Sequence, residues 1–404
     1  MRDAVIVEAV RTPVGKGKPN GSLAHVHPVE LLAHTLRTLV ERSGVDPELI
    51  DDVIGGTVDQ VGEQAMNTTR YAALSAGLPE SVPATTVDRQ CGSSQQAVHF
   101  AAQGVISGAY DIAVACGVES MSRVPMWSNV PEGKDPFGPG IAACYPEGLV
   151  PQGISAELIA AKWSITREQM DAFAVTSHRR AAAAWDTGLF DAEVAPLEGV
   201  TRDECVRPDT GTDVLAGLRP AYHDPHFAER FPQIEWNVTA GNASPINDGA
   251  SAVLVMSGET AAKLGLRPLA RLHSFAVTGS DPLLMLTGVV PATEKVLRRA
   301  GLSLDDIDLF EGQRGVLQRR PRLAAGDRRR PRQGQRPRRG HRHRPPARRE
   351  RHPADDHPGS RHEGTRRALR PADHVRGRRA RQRDDPGAGL TGAPPRDGGV
   401  GAAG

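Results

Sequence analysis

The sequence predicts an α/β fold in which a parallel or mixed sheet is covered by helices. Three observations carry this. Apolar runs of strand length alternate with stretches of helical period over residues 1–120, and again from about 238. Between them, roughly 120–240 is rich in Pro and Gly and breaks the rhythm, as a large insertion on an α/β unit does. No aromatic residue, Met, Cys or Ile follows Phe310, so a packed core is confined to residues 1–311.

Taken in order, Ala4–Val10 is a continuous apolar-rich run before the turn Arg11-Thr12-Pro13 and reads as a buried strand. Pro28–Ser43 has helical period through Leu31, Leu32, Leu36 and Leu39, and Gly44 stops it. Asp51–Val58 is the next strand. Asn67–Ala76 is helical and ends at Gly77-Leu78-Pro79. Thr85–Val87 is a short strand, Gly92–Gly108 a helix apolar at Ala97, Val98, Ala101, Val105 and Ile106, and Asp111–Cys116 another buried strand. In the insertion one strong helix is predicted, Arg167–Asp186, opened by the capping-box pair Thr166 and Gln169. Ala250–Ser257 is then a strand, followed by a helix to about Leu264.

A weak internal repeat joins the two ends of this region. Residues 39–56 and 296–312 share a helix, a Gly break, paired Asp and a strand. Duplication explains this, and so does the general similarity of helix–strand joins.

Charge divides the chain where the aromatics stop. Residues 312–404 hold 26 Arg, no Lys and 9 acidic residues, whereas residues 1–311 are net acidic; the near-neutral total of +2 conceals the split. The last segment is predicted to be disordered. No run of 18 apolar residues exists, which excludes a spanning helix, and the opening residues lack the long apolar run and cleavage site of a secretory signal. Four Cys without framework spacing point to free thiols in a reducing compartment, here the cytoplasm.

Cys91 is the sharpest chemical feature. It stands between a short strand and a long apolar helix, in Val87-Asp88-Arg89-Gln90-Cys91-Gly92-Ser93-Ser94. A thiol at a helix N-terminus feels free N–H groups and the positive end of the dipole, and both favour the nucleophilic thiolate. The plain alternative is a buried structural Cys. Cys116 belongs to a core strand; Cys144 and Cys205 lie in polar loops without a motif. The stretch 238–250, with small residues before a buried strand, either admits a bulky ligand to the backbone or is an ordinary polar turn. No phosphate loop, dinucleotide fingerprint or zinc pattern is present, and the His-x-His of His341 and His343 in the Arg/Pro segment is not read as a metal site.

Six ordered motifs turn these features into a family resemblance: RTPVGKGKPNGSL (11–23), GEQAMNTTRYAALSAGLP (62–79), VDRQCGSSQQAVHFAAQGVISG (87–108), ACGVESMSRVPM (115–126), ITREQMDAFAVTSHRRAAAAWDTGLFDAEVAPL (165–197) and TAGNASPINDGASAV (239–253). Over three quarters of its length the chain resembles the thiolases (acetyl-CoA C-acyltransferases). The resemblance implies the thiolase fold, two similar α/β halves with mixed sheets and a loop domain inserted in the first. It implies residues 1–120 plus 240–268 as the first half, 121–239 as a CoA-binding loop domain and 269–311 as the start of an incomplete second half. It implies that Cys91 forms the acyl-enzyme and that Ser244, Arg219 and Asn242 bind substrate, with Ser244 along the pantetheine arm. CoA is then a substrate; no cofactor or metal is implied. Acyl-CoA and CoA are the implied partners, without nucleic acid or membrane, in a homodimer or homotetramer.

The family also uses a His in Gly-His-Pro, a second Cys in Cys-x-Gly-Gly and an Asn in Asn-Glu-Ala-Phe. None is spelled here: the resemblance stops at Glu311, and no Cys follows Cys205. A one-base frame change accounts for this. Codons read one base later permit Val-Asn-Glu-Ala-Phe from Gly312–Val316, Ala-Ile-Ala-Ile-Gly-His-Pro-Leu-Gly-Ala from Gly340–Arg349 and Met-Cys-Glu-Gly-Gly-Gly from His374–Arg379. All three motifs occur in order, in one frame, at thiolase spacing. Arg, Pro, Gly and Ala also dominate out-of-frame translations of G+C-rich genes.

The sequence therefore supports a degradative thiolase, Pro151–Glu157 departing from the His-Met-Gly stretch of biosynthetic members. A thiolase remnant without its base is the alternative. A polyanion-binding role for residues 312–404 is the alternative of another class, and it lacks aromatic interleaving and a fold motif. A ketosynthase-type condensing enzyme shares the fold and the Cys, but residues 165–197 favour a thiolase.

Overall fold

The computed structural model describes residues 2–312. Residues 313–404, which include His341, His343 and the segment expected to be disordered, lie outside the described residues. In chain order the elements are β1 (Val5–Arg11), β2 (Gly15–Lys16), α1 (Pro28–Ser43), β3 (Asp52–Gly56), α2 (Thr68–Ser75), β4 (Ala84–Val87), α3 (Ser93–Ser107), β5 (Ile112–Ser120), α4 (Gly138–Cys144), α5 (Gln152–Trp163), α6 (Arg167–Asp186), α7 (Thr212–Ala216), α8 (Pro225–Arg230), β6 (Asn247–Met256), α9 (Gly258–Lys263), β7 (Ala270–Arg271) and α10 (Val289–Ala300).

The sheet is mixed, in the order β4-β3-β5-β6-β1-β7, with β2 alongside β6. β3 runs parallel to β4 and β5, while β6 is antiparallel to both β5 and β1. The period-two alternation of β5 sorts its side chains. Ile112, Val114, Cys116 and Val118 join the core under α1 with Leu31, Leu32, Leu36 and Leu39. Ala113 and Ala115 face α3, against Ala97, Ala101, Ala102 and Val105. Small residues on both sides of that second contact bring α3 close to the sheet.

Capping residues set the helix boundaries. His27 Nδ1 accepts from Val29 N at 3.2 Å at the start of α1, and Gly44 ends it in the left-handed conformation. Asn67 caps α2 through Arg70 N. At α6 only one half of the expected capping box is present, Thr166 Oγ1 accepting from Gln169 N at 3.3 Å.

Three expectations change. The β5 strand runs on to Ser120 and β6 begins at Asn247, because the two pair continuously from Ile112↔Met256 to Ser120↔Asp248. The insertion holds a second substantial helix, α5, whose residues Gly153–Ala160 are buried on every side, so the sequence shows no amphipathic period there. The repeat is matched only in part. Both copies show a helix, a left-handed Gly (Gly44, Gly301) and a short 3-10 turn (Pro47–Leu49, Leu304–Asp306). The first copy continues into β3, whereas residues 307–312 form no strand.

Candidate active site

The strand register brings the motif loops to one edge of the sheet. Gly56 at the end of β3 is level with Val87 at the end of β4 and with Gly117 of β5. Ser120 lies opposite Asp248, and Arg11 opposite Ser251. The loops after β1, β3, β4 and β5 and the loop before β6 therefore leave from the same edge. It is the carboxyl edge of the parallel strands, where open α/β sheets present their ligand sites.

Cys91 stands there, exposed, in the turn between β4 and α3. Gln90 just before it has φ +48, a left-handed conformation that costs a residue with a side chain about 1–2 kcal/mol. The turn braces itself. Asp88 Oδ1 accepts from Gln90 N at 2.6 Å; Ser93 Oγ donates to Gln90 O at 2.6 Å and accepts from Arg89 N at 2.8 Å. The thiol thus sits at the N-terminal end of a 15-residue helix; the two N–H groups that follow it are taken, Gly92 N donating to Arg89 O at 3.1 Å and Ser93 N to Gln90 O at 3.0 Å.

Two glycines of the sheet seat this helix end. A Cβ on Gly56 would lie 2.8 Å from Ser93 Cβ, and one on Gly117 would lie 3.0 Å from Ser94 Cβ and 2.8 Å from Gly56 O. Only residues without a side chain let α3 approach so closely. Beside it the loop after β3 is tied to the end of β5 by Gln64. Its Nε2 donates to Glu119 Oε1 at 2.7 Å and Asp59 O at 3.0 Å, and its Oε1 accepts from Ser120 N at 2.8 Å. Burial pushes the Glu119 carboxyl above its usual range, against the hydrogen bonds it accepts.

The segment before β6 makes a second cluster. Ser244 and Arg219 are both exposed. Asn242 is fully buried, and its amide is spent within the protein: Oδ1 accepts from Thr239 N at 2.9 Å, and Nδ2 donates to Asp171 Oδ1 at 2.9 Å and Asn237 O at 3.1 Å. Glu157 of α5, 1% exposed, accepts from Asn237 N at 2.9 Å and Val238 N at 2.7 Å. Burial raises its carboxyl as well.

Comparison with known proteins agrees with this arrangement. Residues 4–259 match the model of the thiolase N-terminal domain, and residues 266–315 that of the thiolase C-terminal domain. A 3-ketoacyl-CoA thiolase of Aliivibrio fischeri is 45% identical over 321 residues, covering 77% of this chain and 79% of that protein. The chain belongs to the thiolase family. A steroid 3-ketoacyl-CoA thiolase of Mycobacterium tuberculosis is 43% identical over 324 residues, covering 77% of this thiolase and 76% of that one. The crystal structure of the Bacillus anthracis acetyl-CoA acetyltransferase superposes with a TM-score of 0.67 at 36% identity, over 78% of this chain and 81% of that one.

In this thiolase the register sets Cys91 and the Ser244 loop on the same sheet edge, on different elements. Two of the other thiols are less exposed than Cys91. Cys116 is buried in β5 and its thiol is pushed up to about 12. Cys205 is half-buried, raised chiefly by burial, and Sγ donates to Asn247 Oδ1 at 3.2 Å. Cys144 is exposed and ends α4, whereas a loop was expected there. Sequence reasoning missed Glu157, Arg167 and Asp171. The one signal available was the i,i+4 spacing of Arg167 and Asp171, which form an ion pair at 2.8 Å with the Asp171 side chain only 3% exposed. No helix among the described residues is long and apolar enough to cross a membrane.

Proposed function

We propose that this thiolase cleaves a 3-oxoacyl-CoA with CoA, yielding a shortened acyl-CoA and acetyl-CoA, through a thioester on Cys91. The observation that carries the reading is an exposed thiol in a self-braced left-handed turn at the start of α3, on the edge where the motif loops gather. The thiolate adds to the C3 carbonyl. The C2–C3 bond then breaks, and the acetyl-CoA carbanion leaves and takes up a proton. CoA thiolate next attacks the acyl group on Cys91 and releases the enzyme. The positive end of the α3 dipole suits the oxyanion formed at each addition.

The cycle also needs a base for the thiol and a proton carrier for the carbanion. We place both in the frame that is hidden after Glu311: the Gly-His-Pro His at codon 345 and the Cys-x-Gly-Gly Cys at codon 375, with the Asn-Glu-Ala-Phe Asn at codon 313. The family-model match that ends at residue 315 supports a break in this region. A chain translated as written is then a catalytically dead remnant; the lack of any Cys beyond Cys205 favours this second reading for that product.

Residues 121–239 act as the CoA-binding loop domain, Ser244 and Arg219 as substrate contacts, and 1–120 plus 240–268 and 269–311 as parts of the two halves. The direction is degradative, with longer or bulkier acyl groups than acetoacetyl. Two observations support this: the departure of Pro151–Glu157 from the biosynthetic pattern and the names of the 3-ketoacyl-CoA and steroid 3-ketoacyl-CoA relatives. A cytoplasmic homodimer or homotetramer completes the reading. The test is a thiolysis assay across acyl lengths on the frame-restored protein. Turnover that rises with acyl length and is abolished by Cys91→Ser is expected; reaction of acetoacetyl-CoA alone would remove the degradative assignment.

A further inference from the structure

Arg219 and Ser244 lie 25 positions apart on separate segments, yet both segments hang from one partly buried ion pair. Arg167 and Asp171, one turn apart on α6, meet at 2.8 Å. From that pair two arms extend. Asp171 Oδ1 accepts from Asn242 Nδ2 at 2.9 Å, and Asn242 in turn closes the 237–243 turn through Thr239 N and Asn237 O. Ser244 follows this turn directly. On the other side, Arg167 Nη2 donates to Leu215 O and, at 3.1 Å, to Leu218 O, the residue before Arg219. The arms touch again at their ends: Pro220 and Thr239 form a bridge, and Ala221 N donates to Val238 O at 2.9 Å.

We infer that the Arg167–Asp171 pair is a positioning device that fixes the distance between Arg219 and Ser244, so that both reach one CoA molecule. This rests on the reading above that these two residues contact CoA. The chemistry of the pair suits the task. A guanidinium is a planar fork whose donors serve several acceptors at once, so one Arg holds a carboxylate and two carbonyls in fixed relation. The carboxylate, almost wholly buried, keeps one oxygen for Arg167 and the other for Asn242. Neither residue needs to touch the ligand; each acts through the segment it holds.

The two arms are separable by substitution, which supplies the test. CoA binding to the full chain is measured by calorimetry for wild type, R219A and S244A, and again in two backgrounds. Arg167→Lys keeps a cation for Asp171 but loses the fork to Leu215 and Leu218. Asn242→Ala keeps the ion pair but releases the 237–243 turn. Wild type is expected to bind CoA and each single contact variant to bind about tenfold more weakly. In the Arg167→Lys background R219A should become silent while S244A keeps its effect; in the Asn242→Ala background the pattern should reverse. A general loss of packing would blunt both contacts equally in both backgrounds, and that result overturns the proposal, as does full additivity. If wild type binds CoA but neither R219A nor S244A weakens it, the contact assignment fails and the proposal falls with it. If wild type binds no CoA, the CoA reading itself has failed.

Discussion

The seat of α3 on the sheet is the most exacting feature of the site, and Gly117→Ala probes it. The added Cβ would lie 2.8 Å from Gly56 O and 3.0 Å from Ser94 Cβ. Rotating the Ser94 hydroxyl cannot relieve either contact, since one partner is backbone and the other is the Cβ itself. Relieving the Ser94 contact requires the first turn of α3 to retreat by about half an ångström, while the Gly56 O contact strains the sheet itself, for overpacking strain of about 1–3 kcal/mol together. Cys91 is the residue displaced. If a misplacement of about 1 Å costs about 100-fold in rate, half of that costs about tenfold. In the frame-restored chain, kcat for thiolysis should therefore fall about tenfold while the melting temperature drops by several degrees. Gly140→Ala is the control: a Cβ there meets nothing within 4 Å, so the same substitution should leave both quantities near wild type. A G117A protein with wild-type melting and kcat would refute the claim that the close approach of α3 positions the thiol.

Iodoacetamide at mildly alkaline pH should label Cys91 and Cys144 first and spare Cys116, which is fully buried with its thiol pushed up to about 12; peptide mass spectrometry reads the order, and early labelling of Cys116 would contradict the core assignment. Ser93→Ala removes the bond to Gln90 O and the one from Arg89 N and leaves only Asp88 bracing the left-handed Gln90, so stability should fall by about 1 kcal/mol and labelling of Cys91 should change more than that of Cys144. Burial raises the folded-state pKa of Glu157 above its unfolded value, so its contribution to stability is fully present below the unfolded value of 4.5 and is lost as pH rises through the folded value. The melting temperature of wild type relative to Glu157→Gln should accordingly increase as pH falls from neutral towards 4.5; a pH-independent difference would remove that cause.

Much of this was legible because the informative residues act locally. The leucine stripe of α1, its stop at Gly44 and the strand–Cys91–helix order are properties of short windows, and the structure keeps them. What escaped is set at a distance. α5 is buried all round, so its neighbours rather than its own pattern make it a helix. The family resemblance implies that Asn242 binds substrate, but in the fold its amide is turned inward to Asp171 and Thr239. The three-way contact of Arg167 with Asp171, Leu215 and Leu218 depends on a tertiary approach that no spacing encodes, beyond the single i,i+4 pair. Beyond Leu304–Asp306 the repeat does not go on into a strand as its first copy does, so the similarity of helix ends did not carry the pairing partner with it.

The central claim is that Cys91 is a thiolase nucleophile whose proton-handling partners lie in the shifted frame after Glu311. It is tested most directly by expressing two chains side by side: the one written here, and one from a gene with a single base removed after the Glu311 codon. Each is assayed for thiolysis of 3-oxoacyl-CoA. The shifted chain should turn over and lose activity with Cys91→Ser, while the chain as written should show no turnover although Cys91 still accepts an alkylating reagent. Thiolysis at an enzyme's rate by the chain as written, or a folded but inert shifted chain, would contradict the account.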